Sequence, residues 1–183
     1  MILPLAFYGE PILRKKTEPV KEINEEIRQL VADMLETMHA KDGIGLAAPQ
    51  VYKSLSIFVT CVPIYADEED DEDKDEKSLL PGIERVFINP KILSYSEEEI
   101  TLPEACLSIP KLSGYVTRPQ KIIVEAMDLE GKTFTQEFIN YEARCVMHEN
   151  DHINGKLFID RLDKEERGAL EPGLREIKKK YSS

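Results

Sequence analysis

The sequence has no tryptophan, only three histidines and three cysteines, and no apolar run approaching the roughly 18 residues that a membrane span needs. Each shortage excludes something. The missing apolar run argues against a membrane protein, and residues 1–10 lack the charged start and apolar core of a secretory signal. Cys61, Cys106 and Cys145 are odd in number and too few for the disulfide framework of a small secreted domain. Free thiols in a reducing compartment, the cytoplasm, are therefore expected. Positive charge is also scarce: 24 Lys and Arg face 35 Asp and Glu, a formal net charge of −11. That balance does not suit a protein that grips nucleic acid by neutralising phosphates, and no nucleic-acid motif is present.

What is present suits one ordinary domain spanning 1–183, with 42% hydrophobic residues to build its core. The acidic excess is concentrated. Residues 67–76 (DEEDDEDKDE) hold nine acids and one Lys, and without them 26 acids face 23 bases. The remainder is nearly balanced, and a solvated, mobile acidic loop is expected at about 66–80.

Hydrophobic spacing outlines the rest. Ile23, Ile27, Leu30, Val31, Met34, Leu35 and Met38 recur at steps of three and four, the stripe of an amphipathic helix over 23–38. Gly43 is expected to terminate it, and GIGLAAPQ (43–50), small and apolar, reads as a tight loop or edge segment. Strands are expected at 55–62, 86–88, 92–95, 122–127 and 134–139, the last two joined by a turn at Asp128–Gly131. A helix over 141–153 should stop near Asn154 and Gly155, and another over 164–181 should be interrupted at Pro172 and Gly173. These elements predict an α+β fold with short, mostly antiparallel sheets, a helix near each end and a central helix carrying the next motif.

That motif is His148-Glu149-Asn150-Asp151-His152, an HExxH sequence that uses two of the three histidines. On a helix, positions four apart share a face, so both imidazoles can bind one metal while Glu149 reaches its water as general base. The apolar neighbours Cys145, Val146, Met147 and Ile153 argue for a buried helix rather than two exposed histidines stacked by chance. A catalytic metal needs a third protein ligand. By residue type it could be His39, Cys145 or Cys106, although His39 reads as a surface residue and Cys145 as core packing.

GIGLAAPQ (43–50), EACLS (104–108) and HENDH (148–152), in this order and spacing, resemble the three signature motifs of the peptide deformylases, usually GxGxAAxQ, EGCLS and HExDH. The likeness extends from Gly9-Glu10-Pro11-Ile12-Leu13-Arg14 through Arg118 to Gly155-Lys156-Leu157-Phe158. It implies a hydrolase that removes the formyl group from N-formylmethionyl nascent chains and releases formate. It further implies Cys106, His148 and His152 as ligands of one divalent ion, Fe(II) in the cell, with Ni, Co or Zn able to substitute. Glu149 would be the proton carrier, and Gln50 with the Leu107 N–H would steady the oxyanion. Gly43, Ile44 and Gly45 would hold the substrate backbone, with Glu104 and Cys145 also lining the substrate site.

Two residues depart from the family pattern: Ala105 stands where the motif has Gly, and Met147 where many members have Gln. Neither is a ligand or the base, so the expected effect falls on rate and on the surroundings of the metal. The competing readings are an HExxH metallopeptidase cutting internal peptide bonds, and a non-catalytic member that binds metal or N-termini. The basic end of the last helix (Arg175 and Lys178 to Lys180) is read as a solvated surface, with transient ribosome contact as the alternative.

Overall fold

The apolar stripe folds as α1, Glu25–Ala40. Asn24 starts it by accepting the Ile27 N–H at 3.0 Å, and Glu25 and Glu26 sit in the electropositive first turn. It ends in a Schellman closure, with Gly43 N–H reaching Met38 O at 2.9 Å and Asp42 N–H reaching His39 O at 3.1 Å. The left-handed residue of that closure is Asp42 (φ 55°), not the glycine expected to terminate the helix. Gly43 is small for a different reason, since a Cβ there would stand 3.0 Å from Leu107 Cδ1.

A computed structural model describes residues 1–65 and 79–182. The acidic run at 67–76 therefore lies outside the described residues, whereas Leu79 and Leu80, expected in the same loop, begin a strand. The chain continues through β1 (Gly45–Ala47), β2 (Ile57–Tyr65), β3 (Leu79–Tyr95), β4 (Glu99–Cys106), β5 (Ile109–Pro119), β6 (Lys121–Met127) and β7 (Thr133–Ile139). Then come α2 (Asn140–Ile153) and α3 (Lys164–Tyr181). An antiparallel sheet has the order β1-β2-β3-β6-β7, and β4 with β5 forms a separate antiparallel ribbon.

The apolar run at 55–62 follows from burial on two faces. Ile57 and Val59 pack with Leu30, Val31 and Met34 of α1, whereas Phe58 packs with Phe87, Phe138 and Val146 on the α2 side. Strand residues covered on both sides need not alternate with polar ones. The separate candidates at 86–88 and 92–95 are one strand, β3, whose register against β6 shifts between Ile88 and Lys91. Asn89 (φ 50°) and Pro90 occupy that irregularity, where a missing ladder donor is tolerated.

The ribbon was not expected. Pro103, Pro110 and Pro119 broke its apparent strand pattern, but in a two-stranded ribbon both strands are edges, which accept proline. The other difference is α3, which runs through Pro172 without the expected interruption. Its second half is held by Leu174 and Ile177 in a core with Ile109, Val116 and Phe158. Gly173 permits the approach, because a Cβ there would meet Leu112 Cδ2 at 2.9 Å. Among the described residues no helix is long and apolar enough to cross a membrane.

Candidate metal centre and its cavity

His148 and His152 lie one turn apart on α2, both buried, with ring centroids 5.2 Å apart. Cys106 is the last residue of β4, where the ribbon's register shifts, and its Sγ lies 3.3 Å from His152 Nε2. One donor atom from each of the three falls within 4.8 Å of the others, the single such group among the described residues. That spread suits one ion at about 2.0–2.3 Å from each donor. The alternatives are placed elsewhere. His39 is exposed at the end of α1 and bonds Glu84 at 2.7 Å. Cys145 is buried with Sγ 3.5 Å from Ile44 O, and burial pushes its thiol pKa well up, so it stays neutral.

Beneath the cysteine and histidines lies a chain of buried charge. Glu104 accepts Arg118 Nε at 2.6 Å and Nη2 at 2.9 Å, Arg144 Nη1 at 2.6 Å, and His148 Nδ1 at 2.8 Å. Burial alone would raise the Glu104 pKa, but the hydrogen bonds from His148 and Arg118, with Arg118's charge, hold it well below the carboxylate range. Arg118 Nη1 also reaches Asp151 Oδ2 at 3.0 Å, and Asp151 takes both Arg161 Nε and Nη2 at 2.7 Å. The bond to Glu104 leaves His148 Nε2 as the nitrogen available to an ion. Without an ion, burial disfavours the His148 cation, but bonds to Cys106 and Glu104 prevail and raise its pKa. His152 is lowered, first by burial and then by His148 and Arg118. Loading an ion would thus displace a proton from His148.

Glu149 projects into the same space, and its buried Oε2 has no hydrogen-bond partner among the described residues. Burial is the main reason its pKa rises to about 7, with Glu104 and Asp151 adding and His148 opposing. A carboxyl near neutrality can both take and give a proton. It fits because position 45 is glycine: a Cβ there would lie 2.6 Å from Glu149 Oε1.

Gln50 is oriented by the Ala47 N–H, which donates to Oε1 at 2.9 Å. Its amide NH2 therefore faces inward, 3.1 Å from Ser108 Oγ and 3.5 Å from Cys106 Sγ. A cavity of about 600 Å³ is lined by every residue expected at the site except His152. Its lining includes Gly43, Ile44 and Gly45 at the start of β1, an edge of the sheet among the described residues, and Cys106, Leu107 and Ile109 to Ser113 at the ribbon's turn. An extended peptide laid between them can bond the free strand edge.

Several expectations change in detail. Glu104 lines the cavity, but both its carboxylate oxygens are committed to Arg118, Arg144 and His148. Ala105 is outside the left-handed region, so its methyl brings no backbone strain. Met147 is buried among Phe58, Phe87 and Val146, where an apolar side chain suits its neighbours. Sequence reasoning missed Arg144, Asp151, Arg161 and Ser108 as neighbours of the centre. Part of the signal was available: Arg144, His148 and Asp151 recur at steps of four and three on α2.

A sequence model of the family described as polypeptide deformylase matches residues 2–168. The chain is 43% identical to a peptide deformylase of Acinetobacter baumannii over 161 residues, covering 88% of this chain and 83% of the relative. It is 39% identical to one from Pseudothermotoga lettingae over 177 residues, covering 97% and 92%. It is also similar to the crystal structure of an Ehrlichia chaffeensis peptide deformylase in complex with actinonin. That likeness has a TM-score of 0.83 and 36% identity, covering 100% of this chain and 99% of that one.

Proposed function

The chain belongs to the polypeptide deformylase family, and on that premise we propose that Cys106, His148 and His152 hold its divalent metal while Glu149 moves the proton. The protein is a metal-dependent hydrolase that removes the formyl group from N-formylmethionyl peptides. The observation carrying the residue assignment is the convergence of one sulfur and two imidazoles within 4.8 Å of one another, with Cys106 and His148 lining the cavity that also holds Glu149 and the β1 edge.

A thiolate with two imidazoles is softer than an oxygen cage, which supports Fe(II), Co, Ni or Zn over Mg or Ca; Fe(II) as the ion held in the cell is what membership of the family implies. The orphaned Glu149 Oε2 fits the same assignment, because a buried carboxylate oxygen needs a donor and an attacking water would supply one. When bound, the ion lowers the pKa of that water and polarises the formyl carbonyl. Glu149 takes the water's proton as its oxygen attacks the formyl carbon. The Gln50 amide and the Leu107 N–H donate to the oxygen that gains charge. Glu149 then gives the proton to the departing nitrogen, the C–N bond breaks, and the remaining proton of the formic acid passes to the released amine, so that formate and the protonated amine leave. Ile44 and Gly45 hold the peptide backbone, and the methionine side chain lies in the apolar pocket beside Ile44, Cys145 and His148. The substrates are nascent chains in the cytoplasm.

The test is formate release from N-formyl-Met-Ala by anaerobically prepared protein, with metal content measured alongside. Glu149→Ala should keep its metal and lose formate release. Cys106→Ala should lose metal. Internal peptide cleavage without formate would reject the assignment, as would full activity in Glu149→Ala.

A further inference from the structure

We propose that Arg144 is a positioning residue of the metal centre: it staples the ribbon that carries Cys106 to the helix that carries His148 and His152, and so sets the spacing of the donors. The proposal rests on the assignment of those three residues as ligands. The ribbon shares no strand ladder with the five-stranded sheet. Backbone bonds tie its base (Ser96 N–H to Lys121 O and Gln120 N–H to Glu98 O, both 2.9 Å) and its turn (Tyr8 N–H to Ser108 O, 2.9 Å). Among the described residues, the hydrogen bonds between its strands and α2 all involve side chains. Arg144 is one turn before His148 on α2 and is buried. Its Nη1 donates to Glu104 Oε2 at 2.6 Å and to Val116 O at 2.9 Å, and its Nη2 donates to Ile100 O at 2.6 Å.

All three acceptors belong to the ribbon, Ile100 and Glu104 on β4 and Val116 on β5. Arg118 is different. It is itself a ribbon residue, so its bonds to Glu104 stay within the ribbon and only its 3.0 Å bond to Asp151 crosses to α2. Glu104 stands two residues before Cys106, and its other oxygen holds His148 Nδ1 at 2.8 Å. Arg144, Glu104 and His148 thus close a ring around the junction where sulfur and imidazole meet. A guanidinium serves three acceptors in a rigid fork, whereas a lysine at the end of a flexible stem does not.

The experiment uses the full chain loaded with Co(II), comparing Arg144→Met, Arg144→Lys and the parent protein. Cobalt affinity is measured by chelator competition, thiolate-to-cobalt charge transfer by visible absorption, and folding by circular dichroism, with kcat and KM alongside. Arg144→Met should bind cobalt about 10- to 100-fold more weakly, with a weakened or shifted thiolate band. Its kcat should fall by a similar factor; because Arg144 also lines the cavity, KM is recorded but the cobalt affinity and the thiolate band carry the decision. Arg144→Lys should fall between. If Arg144→Met does not fold, the lysine variant carries the decision. Parental affinity and band in a folded variant, with only the melting temperature lowered, would overturn the proposal. Failure of the underlying ligand assignment looks different: Cys106→Ala would then keep the parental cobalt affinity and thiolate band.

Discussion

Gly45→Ala moves the proton carrier without changing it. Gly45 is not in the left-handed region, so alanine suits the backbone, and the reduced freedom of the unfolded chain favours folding by roughly 0.4–1 kcal/mol. Against this, the new Cβ would lie 2.6 Å from Glu149 Oε1 and 2.9 Å from Cδ and Cγ. Ordinary contact begins at 3.4 Å, so the carboxyl must retreat by about 0.8 Å. It is the end of a side chain that can turn, so the loss of stability should stay near the low end of the 1–3 kcal/mol typical of overpacking. Catalysis is less forgiving, since a displacement of about 1 Å at a reacting group costs on the order of a hundredfold in rate. The methyl removes no backbone donor or acceptor, and its three nearest neighbours are all atoms of Glu149. The expected variant is therefore folded and fully metallated, with kcat for formate release down about 10²-fold. Steady-state formate assays with metal analysis and thermal melts decide this. A metallated Gly45→Ala protein with kcat within about threefold of the parent would refute the placement of Glu149 against β1.

Two further outcomes follow from the same site. In metal-free protein, burial raises the Glu149 pKa from 4.5 to about 7. Between those values the unfolded chain has released a proton that the folded chain keeps, so stability should fall as pH rises through the window, by up to about 3 kcal/mol. Glutamine cannot ionise, so metal-free Glu149→Gln should melt above the metal-free parent at pH 8, and the gap should shrink toward pH 4.5; a gap independent of pH would contradict the burial argument. Gln50→Ala removes an oriented amide donor and should lower kcat by about 10²–10³ with metal retained; unchanged kcat would show that the amide does not meet the developing charge.

Legibility in the sequence followed the range of the interactions. The α1 stripe, the α2 motif and the β6–β7 hairpin depend on neighbours within a few residues, and each folds where its spacing indicates. The ribbon did not announce itself, because its pairing joins residues up to 20 apart across prolines that locally argue against strands. Pro172 misled in the opposite direction, since the packing of Leu174 and Ile177 outweighs the local cost of one lost helical bond.

The same division runs through the site. Two imidazoles and a carboxylate on one helix turn are a property of 3.6-residue periodicity, so His148, Glu149 and His152 could be placed together from the chain alone. The motif resemblance selected Cys106 among the candidate ligands and added Gln50, without saying what brings them there. Only the tertiary structure decided that Cys106 rather than His39 or Cys145 meets the histidines, because that depends on where Cys106, more than 40 residues earlier in the chain, comes to rest. It also decided that Glu104, which lines the cavity, has both carboxylate oxygens bound to Arg118, Arg144 and His148. Local periodicity orders neighbours on one element, but burial and charge compensation between elements exist only after the chain has folded.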